Sequence, residues 1–128
     1  MTPDQLARSG SEYSEQSALF CWAALNQIKY PCLKWMFAIP NGGFRFKSEA
    51  GRLKASGVKP GVPDILLPFP KGAWAGLFIE MKRKVASRIQ HNQYEWLDQL
   101  VCFGYRAEVC YGWEQARDVI EDYLNEND

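Results

Sequence analysis

Apolar residues recur along the chain with two different periods, and these periods divide it into elements. Residues 1–10 show neither: they are polar, carry Pro3 and Gly10, and read as a loose, flexible lead-in. A helix is predicted from Ser11 or Ser14 to Gln27. Serine is a favourable N-cap, and Ala18, Leu19, Trp22 and Leu25 follow at helical spacing. Residues 33–39 read as a strand stopped by Pro40. Residues 47–56 read as a short helix closed by Gly57, at the place where a left-handed residue commonly ends a helix. Residues 65–69 and 75–82 read as strands, with Pro70-Lys71-Gly72 turning between them. Ser87-x-x-Gln90 has the form of a capping box, and Ile89, Trp96, Leu97 and Leu100 continue one face of the helix it would open. A strand over 105–111 follows Gly104, and 114–124 is an amphipathic helix. No repeat or linker interrupts the pattern, so residues 11–128 are expected to form one domain. The order α-β-α-β-β-α-β-α predicts an α/β sandwich.

Composition supports that reading and narrows it. A chain of 128 residues with 47% hydrophobic positions, five Trp and seven Phe has enough apolar surface for a core. No stretch approaches a membrane span, and no basic segment followed by an apolar core begins the chain. A cytoplasmic protein without a membrane partner is therefore expected. Cys21, Cys32, Cys102 and Cys110 show no C-x-x-C spacing, and three lie among apolar residues, so reduced, buried thiols are expected ahead of zinc or disulfides.

The net charge is zero, but its distribution is uneven. Between residues 44 and 60 stand Arg45, Lys47, Arg52, Lys54 and Lys59 against Glu49 alone. Between 71 and 88 stand Lys71, Lys82, Arg83, Lys84 and Arg88 against Glu80 alone. From Glu108 onward seven acids face one base, Arg117. A phosphate backbone could follow the two basic segments and avoid the acidic one. Any single lysine among them reads more readily as part of a solvated helix face.

The two basic segments flank the residues that carry chemistry. Asp64 follows Pro63 at the mouth of the apolar run Ile65-Leu66-Leu67, and Glu80 and Lys82 end the run Gly76-Leu77-Phe78-Ile79. Successive strand side chains alternate faces, so Phe78, Glu80 and Lys82 point one way and Leu77, Ile79 and Met81 the other. If the two runs pair, Asp64 and Glu80 converge with Lys82 beside them. Two carboxylates form a hard, oxygen-rich site suited to Mg²⁺ or Mn²⁺. A plain strand start at Pro-Asp and a charged strand end at Lys82-Arg83-Lys84 would account for the same residues singly. His91 stands on the polar side of its helix without a ligand-spaced partner, which argues against zinc or histidine-metal chemistry.

The spacing of Gly61-Val62-Pro63-Asp64 and Glu80-Met81-Lys82 resembles the PD-(D/E)-x-K nuclease superfamily. Further segments agree in order: Pro40-Asn41-Gly42-Gly43, Lys54, Gly57-Val58-Lys59-Pro60-Gly61, Gln93, Trp96-Leu97 and Gly104-Tyr105. Together these resemble the VRR-NUC family, the virus-type replication-repair nucleases, in a small stand-alone form of the phage or prophage kind. The resemblance covers about residues 12–124.

It implies a central mixed four-stranded sheet flanked by helices, the restriction-endonuclease-like core. It implies Asp64 and Glu80 as metal ligands, the backbone carbonyl of Met81 completing the shell, Lys82 as a catalytic group and Gln93 beside the active site. It also implies a glutamate from the first helix. Glu12 and Glu15 share a helix face, and both remain candidates. Glu15 leads into the apolar stripe, whereas Glu12 precedes Gln16 by four, a spacing the family often shows. Asn41, Gly42, Gly43, Arg45, Lys54 and Lys59 are the candidate DNA contacts, the glycines because a bare backbone allows close approach. The implied cofactor is Mg²⁺, with Mn²⁺ as a substitute and no nucleotide cofactor. The implied substrate is branched DNA, cut by a homodimer resembling a Holliday-junction resolvase in DNA repair. A flap or nonspecific nuclease is the alternative among enzymes; an inactive DNA-binding protein on the same fold is the alternative outside them. A serine hydrolase is disfavoured, because there is no Gly-x-Ser-x-Gly elbow.

Overall fold

The computed structural model describes residues 1–40, 47–85 and 87–126. Its helices are α1 (Pro3–Leu6), α2 (Glu12–Leu25), α3 (Lys47–Ala55), α4 (His91–Cys102) and α5 (Trp113–Leu124). Its strands are β1 (Phe37–Ala38), β2 (Ile65–Leu67), β3 (Leu77–Lys82) and β4 (Arg106–Tyr111). The strands form one mixed sheet in the order β1-β2-β3-β4, with antiparallel pairing of β1 with β2 and of β2 with β3, and parallel pairing of β3 with β4. The parallel step needs a crossover, and α4 provides it. The expected α/β class and four-stranded mixed sheet are thus the observed ones.

Burial explains the layering. All six residues of β3 are buried. Leu77, Ile79 and Met81 join Ile65 and Leu67 of β2, Cys110 of β4, and Ala18, Leu19 and Trp22 of α2 in one core, closed by Ala116, Ile120 and Tyr123 of α5. Each large aliphatic side chain buried there contributes about 1.5–3 kcal/mol. The other face of β3 carries Phe78, Glu80 and Lys82; Phe78 meets Tyr105 edge to face at 5.1 Å, and α4 lies on this side. The acid-rich α5 and the Glu80–Lys82 face therefore lie on opposite sides of the sheet.

Several boundaries differ from the sequence expectation. Residues 1–10 are folded: Thr2 and Gln5 cap each other reciprocally around α1, Pro3 occupies its first turn, and Leu6 and Ala7 pack against the core. The strand expected over 33–39 shrinks to Phe37–Ala38. Pro31 starts a 3-10 turn over Pro31–Trp35, held by local bonds from Leu33 N–H to Tyr30 and from Met36 N–H to Leu33. Helix α4 starts at His91 and not at Ser87, because Gln90 and not Ser87 is its N-cap. All four cysteines are free, but Cys102, near the end of α4, is exposed where a buried thiol was expected; Cys110 is buried. Among the described residues, no helix is long and apolar enough to cross a membrane.

Candidate active site

Asp64 is positioned by what precedes and what faces it. Gly61 adopts φ +90°, and a Cβ there would stand 2.9 Å from the Asn92 carbonyl oxygen, so only glycine lets this loop pass so close to the start of α4. Pro63 is buried, and Asp64 immediately precedes β2. Its backbone carbonyl accepts from Ile39 N–H at 2.7 Å, and its Oδ2 accepts from Met81 N–H at 2.7 Å. Since β2 ends its pairing with β3 at Ile65 opposite Ile79, the Asp64 carboxylate takes over the ladder bond that a longer β2 would make. In an extended strand the N–H and C=O of one residue point to the same side. The Met81 carbonyl thus lies on the Asp64 side of β3, while the neighbouring Lys82 carbonyl accepts from Gly112 N–H on the β4 side.

Glu80 is 1% exposed. Its Oε2 accepts from Gln93 Nε2 at 3.2 Å and lies 4.0 Å from Lys82 Nζ, itself buried. Its Oε1 is buried and meets no hydrogen-bond donor. Gln93 is held in turn: its Oε1 accepts from Gln90 N–H at 2.8 Å, which fixes the amide orientation and leaves the NH₂ for Glu80. One side chain therefore caps α4 and orients a buried carboxylate.

The first-helix glutamates separate. Glu12, in the exposed first turn of α2, brings a carboxylate oxygen into a cluster with those of Asp64 and Glu80; all three ligand atoms lie within 4.8 Å of one another. Glu15 is buried one turn on and turns elsewhere: its Oε1 accepts from Trp113 N–H at 3.0 Å, at the start of α5. Gly112, the N-cap of α5, has no side chain to do this. The buried acid on the apolar stripe is thus a helix cap, and the exposed one joins the cluster. A glycine ahead of a helix is the one sequence sign that a cap had to come from elsewhere.

Electrostatics follow from this crowding. Burial first, then the hydrogen bond and negative charge of Asp64, push the Glu80 carboxyl up to about 9 from an ordinary 4.5. The Lys82 ammonium opposes the rise and Glu12 adds to it. At neutral pH the three acids by themselves keep a proton at Glu80. A hard divalent cation could replace that proton, because it favours several carboxylate oxygens and would give the orphaned Oε1 a partner. The donor set fits such an ion.

The remaining candidates are exposed or lie outside the described residues. Lys54, in the last turn of α3, and Lys59, in the loop before Gly61, are exposed. Lys71, counted with the second basic segment, sits at the turn of the β2–β3 hairpin, the end away from Glu80 and Lys82. Asn41, Gly42, Gly43 and Arg45 lie outside the described residues.

A family model described as VRR-NUC domain matches residues 10–114. A solved structure titled "VRR_NUC domain protein" superposes with a TM-score of 0.79 at 28% identity, covering 92% of this chain and 91% of that one. No curated protein matches the chain.

Proposed function

The chain belongs to the VRR-NUC domain family, nucleases of the PD-(D/E)-x-K type, and from that premise we propose that it is a divalent-metal-dependent DNA endonuclease. One observation carries the reading: Glu12, Asp64 and Glu80 bring ligand oxygens within 4.8 Å of one another around a buried carboxylate oxygen that lacks a donor. We assign Glu12, Asp64 and Glu80, with the Met81 carbonyl, to hold Mg²⁺ or Mn²⁺. A bound divalent ion supplies charge compensation at the phosphate and a water of lowered pKa.

The chain's own residues do the rest. Asp64, pinned by the Met81 N–H, and Glu80, pinned by Gln93, offer oxygens whose positions are fixed before substrate arrives. Such preorganisation spares reorganisation during the reaction. Lys82 keeps a desolvated ammonium beside Glu80, where it orients the attacking water or steadies charge on the phosphate. Lys54 and Lys59 are assigned to phosphates along the backbone. Glu15, although a first-helix acid, is assigned a structural role.

Within this activity we place branched DNA as substrate and a homodimer as the acting species. Among the described residues the domain carries one carboxylate cluster, and a four-way junction requires paired cuts by two-fold-related sites. The test is a labelled four-way junction incubated with Mg²⁺, Mn²⁺ or EDTA, beside flap and plain duplex substrates. Metal-dependent cutting with a preference for the junction is expected. Cutting that survives EDTA would remove the metal assignment. DNA binding without cutting of any substrate would favour the inactive DNA-binding reading. Equal cutting of flap and junction by a monomer would leave a nuclease but not a resolvase.

A further inference from the structure

Met36, just ahead of the short edge strand β1, and Phe37, its first residue, carry two large side chains to opposite faces of the sheet. Met36 is buried in the α2–α5 core, whereas Phe37 projects to the other side and is 46% exposed. Phe37 pairs with Leu66, and Leu66 pairs with Phe78, so these three side chains form one row across the face that also carries Glu80 and Lys82. Burial falls along the row: Phe78 is buried on the α4 side, Leu66 is half-buried and Phe37 is open. Among the described residues, α4 covers only the β3–β4 half of this face. Asp64 stands just ahead of β2, two residues before Leu66 and bonded through its carbonyl to Ile39 N–H, which sets Phe37 about 7 Å along and about 5 Å across from it. An exposed aromatic ring on the same face as the carboxylate cluster and this close to Asp64 has the character of a single-strand platform.

We propose that Phe37 is a stacking platform for one unpaired nucleobase next to the phosphate held at the carboxylates, so that the site prefers strands splayed or single-stranded beside the cut. The inference rests on the nuclease reading and adds the state of the base that the site takes. Charge alone would serve duplex and single strand alike, whereas a free aromatic face at the metal site offers a gain only to a base released from its own stack.

The test uses the full chain and short DNAs carrying 2-aminopurine, either in a splayed arm or fully paired, with Ca²⁺ for binding and Mg²⁺ for cleavage. Binding of the splayed DNA by the wild type should quench the probe. Phe37→Ala should abolish the quench and weaken binding of the splayed substrate by roughly 5- to 150-fold, the range of one base–aromatic stack. Its effect on fully paired DNA should be under about twofold. Phe37→Trp should restore quench and affinity, and Phe37→Leu, which keeps the apolar bulk and protects the fold, should not. An unchanged quench in Phe37→Ala and Phe37→Leu overturns the proposal. So does equal weakening on paired and splayed DNA, or a shift from dimer to monomer in sedimentation, which would make Phe37 a subunit contact. Cleavage without any Phe37 dependence defeats the platform and spares the nuclease; Phe37-dependent quenching without cleavage does the reverse.

Discussion

Glu80 is a buried acid that the folded chain keeps protonated near neutrality, and its neighbours give that burial a use. Because its folded pKa, about 9, lies above the ordinary 4.5, the metal-free native state binds more protons than the unfolded chain between these values. The Glu80 contribution to the stability of the metal-free protein should therefore be fullest below about pH 4.5 and be lost as pH rises toward 9. Thermal melts in EDTA across this window should show the decline, Mg²⁺ or Mn²⁺ should counter it at high pH, and Glu80→Gln should flatten it. A flat wild-type profile would mean that Glu80 shares its proton differently. Asp64→Ala and Glu80→Ala should abolish cleavage while circular dichroism stays native, since each removes a candidate ligand and not core packing. Lys82→Ala should lower turnover by about two to four orders of magnitude, the scale of a positioned acid–base or electrostatic group. DNA affinity should fall only modestly. If affinity collapses while single-turnover chemistry survives, Lys82 is a phosphate anchor.

At the scale of elements, helix α2 performs two jobs with two acids a turn apart. Glu12 faces the cluster, and Glu15 closes the start of α5 through Trp113 N–H. The two should separate cleanly in experiment. Glu12→Ala should remove most activity and leave the melting temperature within a degree or two, because the residue is exposed. Glu15→Ala should destabilise by about 1–3 kcal/mol, the cost of a buried N–H left unsatisfied, with turnover per folded molecule near wild type. Reversal of the two phenotypes would exchange the assignments. Gln93 joins elements in a similar way: one amide caps α4 and holds the acid of β3, so the start of the crossover helix and the orientation of Glu80 are a single geometric fact.

At the scale of the whole molecule, the sheet sorts the charge. Acidic α5 packs on one face, and Glu80 and Lys82 occupy the other; Glu114, at the start of α5, is neutralised by Lys84 at 2.8 Å. A homodimer is expected in sedimentation, with binding that weakens steeply between low and moderate salt as counterions are released from several phosphates. Salt-independent binding, or a monomer at working concentration, would defeat this arrangement without touching the site.

Periodicity and spacing by themselves determined the order of the elements after α1 and the α/β class, and brought Asp64, Glu80 and Lys82 together once the two apolar runs pair. These rest on local rules: strands alternate, helices repeat every 3.6 residues, and two paired strands bring their ends together. The choice between Glu12 and Glu15 was beyond such rules. Both acids suit a first turn, and only the arrival of α5, 98 residues later, gives Glu15 a partner. The same holds for the start of α4, where a serine cap at Ser87 looked sufficient until Gln93 was tied to Glu80. It holds for residues 33–39 as well, where a 3-10 turn begun by Pro31 overrode an apolar run. Local propensity separates such alternatives by a kcal/mol or less, so tertiary contacts that bury or satisfy a group decide between them.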